Sequence, residues 1–455
     1  MTKNKIPIKL IKLYQKNKKI IGTGHCRFYP TCSHYALESY QKFNFLIASW
    51  LTFYRIIRCN FLTRRKYDPV PLTKKEKQRQ KELELIFLSS LSELASILIM
   101  HYRRYPLSQS NDFIKLIYQF YYGPKHLVTS DEEIKIINYI QDEIKTITTP
   151  NYYLLDYIGN GLVRVDLRLI ESEQELKQFA LAFFNTCSQV ALPAFSFQDG
   201  INLLKRLIKI KAIHLEEGIE KIIDYQKNPC LPHHSQVYTD AYLPHYRLIK
   251  AELIPFDFYL KAISSLIKHK MMKQNRLIIA IEGPAGSGKS TLAKVLKTKF
   301  GAEIYHVDDF FLPLKMKTKK RLKQVGGNIH YERLLKELII PLKKRQPFFY
   351  QKYDCTKREY IMKSAKNEAS IIIIEGVYSA HPLLINHYDL LLYVDIDKNT
   401  QNMRLKKCSE ELYNRFVQEW LPLEEIYFNY YHIKTKADLI INGSNILNPK
   451  LKDSI

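Results

Sequence analysis

The chain has 455 residues, 46% of them hydrophobic, and a formal net charge of +25 at pH 7. This length exceeds what one ordinary core serves, so we expect about two to four domains, and the apolar content excludes an intrinsically disordered chain. So large an excess of positive charge favours anionic partners such as lipid headgroups or nucleic acid.

Positive charge is concentrated near the N-terminus. Residues 1–78 contain 17 Lys and Arg against 3 Asp and Glu, a net charge of +14. We expect no membrane-spanning helix, because no apolar run reaches the roughly 18 residues that one needs. The nearest run, residues 45–57, is interrupted by Arg55. Early lysines also break any signal-peptide core, so we expect a cytoplasmic chain whose seven cysteines are reduced.

The first predicted element is a basic amphipathic helix. Ile6, Leu10, Leu13 and Tyr14 recur at helical spacing, and lysines lie between them. Such a helix can lie on an anionic membrane surface. It can also pack on its own domain with its lysines in solvent, and the spacing alone leaves both interpretations open.

The next segment carries a longer motif. Residues 25–40 read HCRFYPTCSHYALESY, a helical run continues to Cys59, and residues 66–71 read KYDPVP. Together these stretches resemble the YidD-type membrane protein insertion efficiency factor family over nearly its whole short length. The residues that carry the resemblance are Cys26, Arg27, Phe28, Tyr29, Pro30, Thr31, Cys32, Ser33, Tyr35, Ala36, Arg55, Arg58, Cys59, Tyr67, Asp68, Pro69, Val70 and Pro71. Residues 60–66 depart from the glycine-rich stretch of relatives.

The resemblance implies a small peripheral protein on the cytoplasmic face of the cell membrane, which assists the insertion of membrane proteins and has no catalytic residues. Its implied partners are an anionic membrane surface and the insertion machinery. Aromatic residues interleaved with basic ones also permit RNA binding. Most of these aromatics recur at helical spacing, as core residues do, so we do not expect nucleic acid as a partner.

Three cysteines of this segment are candidates for a shared site. Cys26, Cys32 and Cys59, with His25 and His34 nearby, can be metal ligands, buried thiols or partners in a disulfide. Their spacing lacks the paired C-x-x-C arrangement of familiar zinc sites, which favours buried thiols. All three interpretations stay open.

The middle of the chain, residues 79–270, is predicted to be mainly helical. Residues 77–82 (KQRQKE) indicate a solvated joint, and residues 83–100 read as one largely buried helix. Only residues 161–167 (GLVRVDL) alternate in the way that a strand does. We expect a helical substrate-binding or partner-binding module.

Histidines in two loops of the middle region are weaker candidates. His126 lies in YGPKH, and His233 and His234 are adjacent in PHH. Loop histidines are more often capping or exposed residues than ligands, so we expect no metal or catalytic role for them.

The strongest local signal begins at residue 277. Residues 277–291 (LIIAIEGPAGSGKST) combine an apolar run with the pattern G-x-x-x-x-G-K-[ST] and the start of a helix. Glycines let backbone N–H groups surround a phosphate, and the helix N-terminus adds positive charge. We predict an ATP site in which Lys289 reaches the outer phosphates and Ser290 binds Mg²⁺. The predicted nucleotide-binding residues are Gly283, Pro284, Ala285, Gly286, Ser287, Gly288, Lys289, Ser290 and Thr291.

Apolar runs alternate with helices after this loop. The runs end at Asp308, at Glu375, at Asp395 and in residues 437–442 (ADLIIN). This alternation predicts an α/β fold with a parallel sheet, whose ligands bind beyond the carboxyl ends of the strands. Asp308 suits a base that accepts a hydroxyl proton, and Glu375 suits a magnesium ligand, directly or through water. Asp395 is the rival, and helix capping is the alternative for each.

Five segments, GPAGSGKST, HVDDFFLP, YQKYD, IIIIEGVYS and FVQEWLPLEEIYF, resemble the uridine kinase and phosphoribulokinase superfamily of P-loop kinases. The resemblance implies the base role for Asp308, the magnesium role for Glu375, and acceptor contacts at Tyr353 and Asp354. We add Arg333 as a substrate candidate. The chain lacks the histidine that uridine kinases place after the Tyr-Asp pair, so uridine itself is not favoured.

Cations of the segment that corresponds to the lid would neutralise charge on the transferred group. They are Arg404, Lys406, Lys407 and Arg415, and we predict a catalytic role for Arg404 beside that of Lys289. For the two lysines, a solvated helix face is an equal alternative.

The sequence therefore predicts a multidomain chain. A small basic α-helical domain spans residues 1–78, a mainly helical region spans 79–270, and an α/β P-loop kinase domain with a parallel sheet spans 271–455. The predicted functions are membrane protein insertion and MgATP-dependent phosphorylation of a small acceptor. The alternatives are an insertion accessory factor with a non-catalytic nucleotide-binding domain, and an RNA-binding basic domain fused to a kinase.

Overall fold

The computed structural model describes residues 4–21, 26–60, 63, 66–87, 89–124, 133–188, 191–354, 357 and 359–445. The chain divides into two compact units, residues 1–88 and residues 89–455. None of the helices within the described ranges has the length and apolarity needed to cross a bilayer.

The first unit is helical, with one short pair of parallel strands. Its elements are α1 (Lys5–Ile21), β1 (Phe28–Tyr29), α2 (Cys32–Lys42), α3 (Phe45–Arg58), β2 (Lys66–Tyr67) and α4 (Lys74–Phe87). The side-chain amide of Asn4 donates to the carbonyls of Tyr40 and Phe43 at 2.8 and 2.9 Å, which ties the start of α1 to the end of α2. Asn44 caps α3 by accepting from the N–H of Ile47.

A buried arginine organises this unit. The guanidinium of Arg55 lies 4.7 Å from the ring centre of Phe28 and 4.2 Å from that of Tyr35. It donates hydrogen bonds to the backbone carbonyls of Pro30 and Asp68. Arg55 therefore joins α3 to the segments beside both short strands.

The first half of the second unit is mainly helical and contains a small sheet. Its elements are α5 (Ser92–Arg104), α6 (Ser110–Tyr122), α7 (Glu133–Thr146), β3 (Leu155–Gly159), β4 (Leu162–Asp166), α8 (Glu173–Ser188), α9 (Phe197–Lys209), α10 (Glu220–Lys227), α11 (Gln236–Tyr242), β5 (Tyr246–Lys250) and α12 (Phe256–Met271). β3, β4 and β5 form an antiparallel sheet in that order. The strand predicted over residues 161–167 is β4, whereas its two neighbours were not predicted.

Residues 83–100 form parts of two helices rather than the single helix predicted. α4 ends at Phe87, α5 begins at Ser92, and the predicted joint at residues 77–82 lies inside α4. Serines at the break make the turn, since the N–H of Ser92 donates to the carbonyl of Ser89 and the hydroxyl of Ser89 accepts from the N–H of Leu91. Serine favours such turns because its side chain competes for backbone hydrogen bonds.

The second half of the unit is built on a five-stranded parallel sheet in the order β12-β11-β6-β10-β7. The elements are β6 (Leu277–Glu282), α13 (Lys289–Phe300), β7 (Glu303–His306), α14 (Lys319–Leu322), α15 (Tyr331–Leu334), α16 (Ile340–Lys344), β8 (Phe348–Asp354), β9 (Glu359–Ala365), β10 (Ile371–Glu375), β11 (Leu390–Asp395), α17 (Lys398–Leu405), α18 (Glu410–Arg415), α19 (Leu421–Tyr431) and β12 (Leu439–Asn442). β8 and β9 form an antiparallel hairpin that was not predicted.

One apolar core connects the two halves of the second unit. Phe179 of α8, Ile263 of α12 and Ile279 of β6 belong to a single cluster of buried side chains. Most of the predicted middle region and the predicted kinase domain thus share a core in this structure, whereas residues 79–88 belong to the first unit.

Candidate functional site

The strand register brings the predicted site residues to one edge of the parallel sheet. Glu375, the last residue of β10, lies opposite Ile281 of β6 on one side and His306 of β7 on the other. β6 runs directly into the glycine-rich loop, and β7 runs into the short helical turn that carries Asp308. The loop and both predicted carboxylates therefore follow three neighbouring strands.

The glycine-rich loop, residues 283–288, is shaped for a phosphate. Gly283 has φ +144°, and a Cβ atom there would lie 2.2 Å from the carbonyl oxygen of Val394, so only glycine fits. The ammonium of Lys289 donates to the carbonyl of Pro284 at 2.8 Å, across the loop. The Ser287 hydroxyl is buried and has no hydrogen-bond partner among the residues that the structure describes. These features fit a triphosphate held by the loop amides and Lys289.

A hydroxyl and a carboxylate meet beside the loop. The Ser290 Oγ lies 3.2 Å from both carboxylate oxygens of Glu375. His306 Nδ1 lies 2.5 Å from Glu375 Oε1. Burial opposes ionisation of Glu375, but the hydrogen bond and charge of His306, the charge of Lys289 and the hydrogen bond from Ser290 together outweigh burial and lower the pKa of Glu375. Hard oxygen ligands of this kind suit Mg²⁺.

Asp308 lies close enough to Glu375 and Lys289 to interact electrostatically with both. Its side chain reaches solvent, yet protein atoms crowd around it. This desolvation, together with the negative charge of Glu375, raises the pKa of Asp308, and the charge of Lys289 opposes the rise. A raised pKa makes the carboxylate a better proton acceptor than an ordinary aspartate.

The predicted acceptor contacts have structural partners. Arg333 is buried and donates to the carbonyls of Gln351 and, at 2.9 Å, Asp309, which ties hairpin β8–β9 to the turn after β7. Tyr353 is buried and packs on Tyr360, with ring centres 5.3 Å apart. These contacts shape the wall next to Asp308.

Asp354 and Asp309, the neighbour of Asp308 in the sequence, complete that wall. Asp354 accepts a hydrogen bond from the N–H of Lys357 at 3.0 Å. Asp309 is buried and pairs with the ammonium of Lys352 at 3.0 Å. Of the two consecutive aspartates, Asp308 is therefore the exposed one and Asp309 the buried one.

Arg404 contacts the backbone of the glycine-rich loop, and the catalytic role that we predicted for it stays a prediction. Its guanidinium donates to the carbonyls of Gly286 at 3.0 Å and Gly443 at 2.9 Å. It also lies within hydrogen-bonding distance of the carbonyls of Ser287 and Ser444. Through these contacts Arg404 ties the loop to the segment that follows β12.

Two buried glutamates beneath and beside the loop were not predicted. Glu282 accepts from the N–H groups of Gly283 and Ala380, each at 2.9 Å, and burial raises its pKa to about 7. Glu424 of α19 accepts from the N–H of Ala285 at 2.9 Å, and burial raises its pKa. Their tertiary partners are remote in sequence, and the resemblance in FVQEWLPLEEIYF was the only signal that pointed to α19.

The histidine segments of the middle region form a polar network. His234 Nδ1 lies 2.9 Å from Asp112, and its Nε2 lies 2.7 Å from the Tyr246 hydroxyl, at the wall of a cavity of about 590 Å³. Burial lowers the pKa of His234 to about 4, so the ring is neutral at pH 7. Both ring nitrogens are already bonded, as expected for a structural histidine. His233 is exposed, and His126 lies outside the described residues.

The three N-terminal cysteines converge in the first unit. Cys26 Sγ lies 3.3 Å from Cys32 Sγ and 3.6 Å from Cys59 Sγ, and all three are free thiols. His34 instead bonds to the Thr31 hydroxyl at 2.8 Å. His25 lies outside the described residues.

The chain therefore contains two units of different class. The second contains a phosphate loop at the end of a central parallel strand, which is the arrangement of P-loop kinases, and the first is a small basic helical unit. The family model "Putative membrane protein insertion efficiency factor" matches residues 3–71. The chain is 50% identical over 68 residues to the protein of that name from Chlorobium luteolum, covering 79% of that protein and 15% of this chain. It is 48% identical over 68 residues to the one from Finegoldia magna, covering 97% of that protein and 15% of this chain.

The chain therefore belongs, through its N-terminal unit, to this family of insertion efficiency factors. Residues 278–407 match the model of the Phosphoribulokinase / Uridine kinase family. Among solved structures, one titled a possible uridine kinase from Bacillus stearothermophilus is 18% identical, with 40% of this chain and 100% of that chain covered and a TM-score of 0.32. One from Saccharomyces cerevisiae, titled "a putative P-loop containing kinase with a circular permutation", is 12% identical, with 42% of this chain and 98% of that chain covered and a TM-score of 0.32.

Proposed function

We propose that the second unit transfers the γ-phosphoryl group of MgATP to a hydroxyl of a small, nucleoside-like acceptor. The observation that carries this proposal is the convergence of a phosphate loop, the Ser290–Glu375 pair and Asp308 at one edge of the parallel sheet. Phosphoryl transfer depends on positioning and on neutralising charge, and these groups supply both.

Each group has a role that its surroundings support. Bound MgATP supplies the phosphoryl group and a divalent cation. The loop amides and Lys289 hold the phosphates, while Ser290 and Glu375 hold the cation directly or through water. Asp308 orients the acceptor hydroxyl and accepts its proton. Tyr353 and Asp354 form the wall against which the acceptor lies.

The full chain will bind MgATP, and replacing Lys289 by alanine will weaken that binding because the phosphates lose their cationic contact. Calorimetry with and without Mg²⁺ measures both effects. A matched control is Lys294→Ala, which removes an exposed lysine further along α13. No heat with any purine triphosphate in the presence of Mg²⁺ would refute the proposal.

Release of ADP against a panel of acceptors identifies the reaction. The panel should contain nucleosides, vitamin precursors and glycerate, because all present a hydroxyl of the required kind. A chain that binds MgATP but releases ADP with none of them would favour the alternative of a regulatory nucleotide-binding domain.

We further propose that the first unit is a peripheral factor on the cytoplasmic face of the cell membrane that assists membrane protein insertion. The name of the relatives suggests the insertion role, and the surface of the unit supports a location at the membrane. Large apolar side chains stand exposed along α1 and α3 of this basic unit. They are Ile6, Leu10, Leu13, Tyr14, Phe45, Leu46, Ile47, Trp50, Phe53, Tyr54, Ile56 and Ile57. Apolar side chains among basic ones suit an anionic bilayer surface.

Binding to anionic vesicles will weaken about 10²-fold when the exposed lysines Lys9, Lys12 and Lys16 of α1 are replaced by glutamine, since each is worth about 1 kcal/mol near such a surface. Sedimentation with phosphatidylserine-rich vesicles measures the loss, and added salt will release the wild-type chain. A matched control replaces Lys294, Lys297 and Lys299 of α13, which are exposed in the other unit. Equal binding to neutral vesicles at high salt would contradict the proposal.

The same variants distinguish RNA binding by the first unit from membrane binding. Retention of RNA on a filter at physiological salt, lost with the α1 lysines, would favour a nucleic-acid-binding N-terminal unit. Vesicle binding without RNA retention favours the membrane.

A further inference from the structure

The thiols of Cys26, Cys32 and Cys59 meet although the chain separates them by up to 33 residues. Cys26 precedes β1, Cys32 is the first residue of α2, and Cys59 caps the end of α3. Their sulfur atoms all lie within 4.8 Å of one another. Three separate segments of the first unit therefore meet at these sulfur atoms.

The sulfur separations suit one shared ion. Two sulfurs on a tetrahedral zinc ion at about 2.3 Å each lie about 3.8 Å apart. The observed separations are 3.3 and 3.6 Å, whereas a disulfide requires about 2.05 Å and would use only two of the three thiols. A [4Fe–4S] cluster takes each cysteine on a separate iron atom and a [2Fe–2S] cluster takes two on each iron, so three thiols this close together fit a single ion better.

Backbone groups are already aimed at the sulfur atoms. The N–H of Cys32 donates to Cys26 Sγ at 3.2 Å, and the N–H of Arg27 donates to Cys59 Sγ at 3.4 Å. Such donors stabilise negative charge on sulfur, as does the N-terminus of α2 at Cys32. A core that needed only neutral thiols would gain little from this arrangement.

A bound ion would stabilise the first unit, whose apolar core is small. Its described residues bury few apolar side chains, namely Phe28, Tyr35, Ala36, Ala48, Val70 and Ile86. Domains of this size with a small core commonly need a disulfide or a metal to be stable. An ion at the three thiols would join the starts of β1 and α2 to the end of α3.

We propose that Cys26, Cys32 and Cys59 bind a single thiophilic d¹⁰ cation, Zn²⁺ or Cu⁺, as thiolates. Among the described residues, no fourth Cys, His, Asp or Glu ligand joins the three. The thiols line a cavity of about 670 Å³ between α1, α2 and α3, so a water molecule or an exchangeable ligand completes the coordination of Zn²⁺. Cu⁺ needs no fourth ligand. The site is independent of phosphoryl transfer.

The test uses the full chain, reduced and stripped of metal by a chelator. Titration with Zn²⁺ and, separately, with Cu⁺ against a chromophoric competitor will show about one bound ion per chain, and the metal content of the purified chain before chelation identifies the cation. Co²⁺ in place of Zn²⁺ will give the thiolate charge-transfer absorption of a sulfur-rich tetrahedral site. Absence of binding in both arms, or a disulfide among the three cysteines in protein purified without oxidant, would overturn the proposal.

Variants locate the ion. Cys26→Ser, Cys32→Ser and Cys59→Ser will each abolish the Co²⁺ absorption, whereas the double variant Cys230→Ser/Cys408→Ser, at two exposed thiols, will retain it. Unchanged Co²⁺ absorption in the three single variants would overturn the assignment. Because a variant can fail to fold, hydrogen exchange of the wild-type chain provides a second measurement. Chelation will lower amide protection at the start of α2 and the end of α3, and equal protection with and without the ion would contradict the proposed role.

Discussion

Replacing Asp308 by asparagine will leave MgATP binding intact and slow phosphoryl transfer by about 10²- to 10⁴-fold. The amide retains the size of the side chain and its hydrogen bonds to an acceptor hydroxyl, but it cannot accept the proton. The loss should therefore fall on kcat, while calorimetry shows MgATP affinity close to that of the wild-type chain. ADP release with the acceptor found in the screen measures the rate.

The rival acid provides the control. Asp395 also ends a strand of the sheet, but its carboxylate pairs with the ammonium of Lys434 at 2.7 Å. Asp395→Asn should leave turnover nearly unchanged. Normal turnover by Asp308→Asn, or equal losses in the two variants, would contradict the assignment of the base.

The pH dependence of the wild-type rate gives a further view of the same group. Burial and the charge of Glu375 raise the pKa of Asp308, and only its ionised form can accept a proton. The rate should therefore fall as the pH drops through this raised pKa, at a higher pH than for an exposed aspartate. Asp308→Asn should lose this acid limb.

The parallel sheet could be predicted because its strands have a simple sequence pattern. Strands covered on both faces read as continuous apolar runs, as β6, β10 and β11 do, and the glycine pattern after β6 has few other structural uses. The rule that ligands bind at the carboxyl ends of parallel strands then placed Asp308 and Glu375 beside the loop without coordinates.

The elements that escaped prediction depend on partners far away in the chain. β5 reads YRLIK, in which two buried residues are adjacent rather than alternating, so its strand depends on pairing with β4 and leaves no pattern in the sequence. The contacts of Arg404 with the loop carbonyls could not be predicted, because every residue carries a backbone carbonyl and no sequence pattern selects these. His306 gains its role from the register of β7 against β10.

The cysteines illustrate the same limit. Their spacing, six residues and then 27, matches no paired metal-binding motif, and sequence reasoning left thiol, metal and disulfide open. Only the packing of α2 and α3 against the short strand pair brings the three sulfurs together. Tertiary structure, not spacing, makes the metal interpretation specific.

Replacing Arg55 by leucine will unfold the first unit while the second remains folded. The guanidinium satisfies the carbonyls of Pro30 and Asp68 and lies 3.5 Å from the carboxylate of Asp68. Removing one partner of a buried pair costs about 3–5 kcal/mol. The Asp68 side chain is 31% exposed and can regain water, so we expect the lower end, about 3 kcal/mol.

A loss of that size is decisive because the unit is small. A core with so few buried apolar side chains rarely supplies more than about 3–5 kcal/mol, so most of its stability disappears. Hydrogen exchange of the full chain, read separately for residues 1–88 and 89–455, measures the effect. Arg55→Lys keeps the charge but loses the planar fork that reaches two carbonyls, so it should fall between leucine and wild type.

Arg58 provides the matched control, because it contacts the same carboxylate from a more exposed position. It lies 3.7 Å from Asp68, and its side chain is 35% exposed. Exposed pairs of this kind contribute about 0–1 kcal/mol, so Arg58→Leu should leave amide protection in residues 1–88 nearly unchanged. Equal protection in Arg55→Leu and Arg58→Leu would mean that the buried carbonyl contacts do not hold the unit together. A loss of amide protection in Arg55→Leu alone would instead show that one arginine joins both halves of the family motif. Because the first unit would then be unfolded, Arg55→Leu should also bind vesicles more weakly.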